Sequence, residues 1–149
     1  MTREELIAAL EAADGPSREL DATIAKDAGW HRVEPRHAKR SGGAWIAPED
    51  FLGVMSNGAP ILDSLHGTDM HKDVPRYTSS IDAALTLARD NWRVSMKQLW
   101  NGSSKREWSV TVNIYSAPPR YWVGDANGLK PNAAHAICIA VMRAMEDGK

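Results

Sequence analysis

The sequence predicts an α+β fold: a layered α-β-α sandwich with a small, mainly antiparallel sheet of about three to four strands and about four helices. Three observations carry this. Apolar residues recur at helical spacing in two short N-terminal segments and one central one. Residues 92–100 and 108–115 alternate apolar and polar around the turn Asn101-Gly102-Ser103-Ser104. The segment from Asn132 to Glu146 is apolar almost all round, the pattern of a helix buried on several sides. Packing such helices on a small antiparallel sheet buries all of these surfaces at once.

Thr2-Arg3-Glu4-Glu5 has capping-box spacing and starts a helix carrying Leu6, Ile7, Leu10 and Ala13. Asp14-Gly15-Pro16 stops it, because proline cannot continue the hydrogen-bond ladder. Ser17 caps a second helix with Leu20, Ile24 and Ala28 on one stripe, and Gly29 ends it. Residues 31–74 read as one long irregular insert, either hiding short edge strands such as residues 44–46 or serving as a functional loop. A third helix opens at Ser79 or Ser80, with Ile81, Ala84, Leu85 and Ala88 as its apolar stripe, and ends at Asp90-Asn91. In the hairpin, Trp92, Val94, Met96 and Trp100 share one face with Trp108, Val110, Val112 and Ile114. Arg93, Ser95 and Lys97 fall on the other face. A third strand is expected at residues 121–124, and Gly128 and Pro131 punctuate the start of the last helix.

The 149 residues amount to one domain, expected to span 1–149 with the insert inside it. Hydrophobic residues at 43% and charged residues at 25% exclude a disordered or collagen-like chain. A net charge of -1 excludes a bulk nucleic-acid binder, so any basic surface must be local. The single cysteine, Cys138, lies in an apolar run and reads as a buried small hydrophobe. That usage, a charged N-terminus without an apolar core region and the lack of a long apolar run predict a soluble, cytoplasmic protein with no membrane contact.

Phosphate loops, dinucleotide fingerprints, CxxC and HExxH are missing, so neither catalytic residues nor a cofactor is expected. His66 and His71, with Asp63, Asp69 and Asp73, match no strong metal spacing and read as a polar loop, so no metal is expected. His135 reads as a partly buried histidine with satisfied ring nitrogens, or as a ligand or proton carrier in a pocket. The one strongly basic stretch holds His31, Arg32, Arg36, His37, Lys39 and Arg40, flanked by Trp30 and Trp45. Guanidinium groups grip phosphates in bidentate fashion and indoles stack on bases. Trp30, Arg32, Arg36, Arg40, Trp45 and Tyr77 are therefore the candidate ligand-binding residues. The polar sheet face with Arg93, Lys97, Thr111 and Asn113 is the second candidate.

Three stretches together resemble the phage ABA sandwich domain proteins. They are Gly15-Pro16-Ser17-Arg18-Glu19-Leu20-Asp21 with Gly29-Trp30, then Pro75-Arg76-Tyr77-Thr78-Ser79-Ser80-Ile81-Asp82-Ala83-Ala84-Leu85 ahead of the Trp92 strand, then Pro131-Asn132-Ala133-Ala134-His135-Ala136. The resemblance covers residues 4–30 and 75–146, and the insert is the departure from the pattern. It implies a phage or prophage origin and an α-β-α sandwich, without a characterised activity. The functional expectation is a non-enzymatic accessory protein that binds or sequesters a phosphate-bearing small molecule, such as a nucleotide immune signal, in counter-defence. The alternatives are a factor that binds and inhibits a host protein, and a small nucleotide-ligand hydrolase using His31, His37, His66 or His71. A homo-oligomer is compatible with either binding role.

Overall fold

A computed structural model describes residues 1–38, 43–62, 72–100, 102, 106–115 and 122–147. The fold is mixed α+β, with helices and three small antiparallel sheets. The chain divides into two compact units, Met1–Asp21 with Arg76–Lys149, and Ala22–Pro75. The division runs through one helix and assigns all of the expected insert to the second unit.

The first unit begins with α1 (Arg3–Ala12), whose capping box forms as expected: Glu5 N donates to Thr2 Oγ1 at 3.2 Å and Thr2 N to Glu5 Oε2 at 2.6 Å. Leu6 and Leu10 are its buried stripe. At the far end, Lys130 Nζ donates to the carbonyls of Glu11 and Ala13, a cation satisfying otherwise orphaned helix-end acceptors. Helix α2 (Arg18–Asp27) starts on Ser17, whose Oγ accepts from Leu20 N at 3.4 Å. Asp21 on its first turns is buried and accepts from Thr78 N at 2.7 Å and Thr78 Oγ1 at 2.9 Å. That pair fastens the segment around Tyr77 to the start of α2, across 57 residues of chain.

Strands β5 (Trp92–Trp100), β6 (Arg106–Tyr115) and β7 (Trp122–Lys130) form one sheet in the order β5-β6-β7. The hairpin register is the expected one: Val94 pairs with Val112 and Met96 with Val110, while Arg93 and Lys97 are exposed. Val110 and Val112 are fully buried. Met96 is not; it is 42% exposed, because the closing helix α5 (Ala133–Asp147) packs chiefly over β6 and β7, and β5 is an edge strand among the described residues. Helices α1 and α4 (Ile81–Leu85) pack against α5 in turn.

Two elements differ from expectation for identifiable reasons. The third strand is longer than residues 121–124, and Gly128 lies inside it, opposite Val110. Gly128 does not punctuate the helix start; it lets the helix backbone lie on the sheet, since a Cβ there would overlap the Ala136 carbonyl and meet Ala140 N at 2.9 Å. Helix α4 is capped by Ser80, with Ala83 N donating to its Oγ at 3.3 Å, and stops at Leu85. Thr86 Oγ1 donates to the Ala83 carbonyl at 2.6 Å, a local bond that competes with continuing the ladder. The buried positions are accordingly Ala84 and Leu87, and Ile81 is 41% exposed.

The second unit is not irregular. Strands β1 (His31–Val33) and β2 (Ala44–Ile46) form one hairpin, separated by the single turn α3 (Pro35–Ala38). Strands β3 (Phe51–Val54) and β4 (Pro60–Leu62) form a second one. Val33, Ala38, Ala44 and Ile46 make a small core, against which Phe51 and Leu62 pack. The strands are three or four residues long, too short for alternation to stand out in the sequence. With the described residues giving seven strands and five helices, the extra strands over expectation are those of this unit.

Candidate functional site

The expected basic cluster is only partly assembled. Arg32 and Trp45 are direct cross-strand partners, with the Arg32 guanidinium 5.9 Å from the indole centroid. Beyond Trp45, Lys72 forms an antiparallel bridge, with Lys72 N donating to the Trp45 carbonyl at 2.9 Å. The result is a row of cation, indole and cation. Its second charge is taken up: Lys72 Nζ lies 3.0 Å from Asp50 and 3.8 Å from Glu49. The hydrogen bond to Asp50 raises the Lys72 pKa and fixes it as the ammonium. Lys72 was not among the candidates, because nothing in the sequence signals a bridge to a residue 27 positions away.

The other candidates lie elsewhere. Trp30 is half-buried just after α2, its N–H bonded to the Ala25 carbonyl at 2.8 Å. Arg36 is exposed on α3, beside the turn at Gly58 rather than beside Trp45. Arg40, His66 and His71 lie outside the described residues. Tyr77 is 2% exposed in the first unit, so it presents no open ring for stacking, and its carbonyl accepts from Cys138 Sγ at 3.2 Å. Cys138 is an inert core residue, its thiol pushed up to about 12 by burial.

The second candidate is the sheet around Arg93. A cavity of 610 Å³ opens at the head of β5, lined by Asp90, Asn91, Trp92, Arg93, Val94 and Tyr115. That volume lies within the range of small-molecule sites, roughly 300–1,000 Å³. One guanidinium–aromatic pair lines it, and a second borders it through Trp92. Arg93 lies 6.0 Å from the Tyr115 ring centroid, and Arg89 lies 5.4 Å from that of Trp92. Asn91 Nδ2 donates to the Tyr115 carbonyl at 2.5 Å and closes the bend at the start of β5 onto the end of β6. Comparison with protein-family models, with curated proteins and with solved structures gives no match. The likeness to the phage ABA sandwich proteins therefore rests on the sequence stretches quoted above. A second cavity, of 520 Å³, is lined by Glu4, Glu11, Glu146 and Asp147, with Arg143 ion-paired to Glu11. That acidic lining disfavours an anion.

In sequence, Arg93 and Asn113 read as the wet side of a sheet. The signal for more was local: Arg89-Asp90-Asn91-Trp92-Arg93 sets two arginines around an indole where a turn enters a strand.

His135 is not partly buried with satisfied nitrogens. It is 1% exposed, and its Nε2 makes no hydrogen bond among the described residues. Burial lowers its pKa below the ordinary 6.5, reinforced by Lys130 and opposed by the Leu10 backbone and Asp21. The unfolded chain thus binds the proton more readily than the native one. Stability from the neutral ring is fully present above pH 6.5 and is lost as the pH falls through the depressed native pKa. Thermal melts should show Tm dropping below that pH, with a shallower drop in His135→Leu; superimposable profiles would contradict the assignment.

Proposed function

We propose that this chain is a non-enzymatic binder of a phosphate-bearing small molecule, a nucleotide or cyclic oligonucleotide, held in the cavity at the head of β5. The observation that carries the reading is the pair of guanidinium–aromatic contacts at one cavity of ligand size. A phosphate takes the charge-assisted hydrogen bonds of Arg93, with Arg89 as the second cation. A base stacks on Trp92 or Tyr115, and Asp90 and Asn91 accept from its exocyclic amine. In the phage setting that the resemblance implies, such binding would withdraw a nucleotide signal from the host.

A thermal-shift screen with ATP, GTP and cyclic di- and trinucleotides tests this. A ligand at about 100 times its Kd adds roughly 2.7 kcal/mol of apparent stability. No shift with any of them would count against the reading. One observation favours a second reading, a protein-binding factor: Leu52, Val54, Met55 and Ile61 are all more than 40% exposed on the β3–β4 hairpin, which is unusual for a surface needing only solubility.

A further inference from the structure

Strand β5 is nine residues long, lies at the sheet's edge among the described residues, and is exposed from Ser95 through Trp100. Unpaired edges of this length are templates for pairing with another chain. On the helix-side row of β5, Gln98 is polar and Trp92 and Val94 are half-buried, but Met96 is 42% and Trp100 64% exposed. Interface cores are enriched in such residues.

We propose that β5 pairs antiparallel with β5 of a second copy, about a two-fold axis through Met96, joining the two sheets into one of six strands. The choice of a second copy comes from the strand's own charge pattern. A two-fold axis normal to the sheet keeps the helix-side faces together, so even-numbered residues pair with even and odd with odd. Centring the axis on Ser95 sets Arg93 against Lys97 twice, and centring it on Lys97 sets that residue against itself. Centres nearer the ends shorten the paired stretch. Centring on Met96 pairs all nine residues with no like charges directly opposite, the cations being diagonal neighbours at the nearest. Trp92 then meets Trp100, Val94 meets Gln98, Arg93 meets Leu99, Ser95 meets Lys97, and Met96 meets its own copy. The same register sets Trp100 of the second copy beside Trp92, at the wall of the β5 cavity. The oligomeric proposal does not depend on what that cavity binds.

Sedimentation of the full chain, with circular dichroism as the folding control, tests both the partner and the register. The wild type should dimerise between about 1 and 100 μM. Ser95→Lys, an exposed position, sets like charges opposite each other at two symmetric places and should raise the dimer Kd at least about tenfold. Adding Lys97→Glu turns those contacts into opposite charges and should restore the dimer. A wild type that stays monomeric overturns the proposal. So does a dimer indifferent to Ser95→Lys, or one that Lys97→Glu fails to rescue.

Discussion

Gly128→Val should be among the most damaging single substitutions in this chain, costing more than about 3 kcal/mol by the upper range of overpacking. Gly128 is in extended backbone within β7, so the cause is space and not an unusual φ. Any Cβ there meets backbone of α5 at Ala136 and Ala140, and backbone cannot swing aside as a side chain can. The helix must lift off β6 and β7, uncovering Val110 and Val112. Urea denaturation measures the loss. A change below about 1 kcal/mol would mean that the helix and sheet do not approach as closely as described.

Ile137→Ala, on the same helix, should cost about 2–5 kcal/mol, since its fully buried side chain would leave a cavity. Ala134, Ala136, Ala140 and Ala144 are all small and buried on this helix. Their size lets α1, α4 and the sheet approach α5 closely, but gives them little reach to refill a void. A loss below about 1 kcal/mol in the same measurement would place α5 at the periphery.

The first unit was largely legible in the sequence because its signals are long or chemically specific. The capping box at Thr2, the Ser17 cap, the apolar period of α5 and the alternation of Trp92 to Ile114 each extend over several residues or fix a defined hydrogen bond. The second unit was hidden because its strands are too short to display a period. Its core also rests on pairings such as Phe51 with Leu62 that only a closed chain reveals. Gly128 was misread because a glycine needed for close approach looks the same in sequence as one needed for a turn. The candidate site divided along the same line. Arg32 and Trp45 come together because they are opposite in a hairpin, whereas Tyr77 is in the core of the other unit. The β5 cavity forms where Arg93 meets Tyr115, 22 residues away in sequence, and only the strand register brings them side by side.

The most direct test of the binding reading is calorimetric titration of the nucleotide that gives the largest thermal shift into wild type, Arg93→Ala and Arg32→Ala. Loss of one charge-assisted contact should weaken binding by about 1.5–3 kcal/mol, so Arg93→Ala should raise Kd roughly 10- to 150-fold. Arg32→Ala, in the other unit, should leave Kd within about twofold of wild type. Unchanged affinity in Arg93→Ala together with a large loss in Arg32→Ala would contradict the account and move the site to the Arg32–Trp45 row.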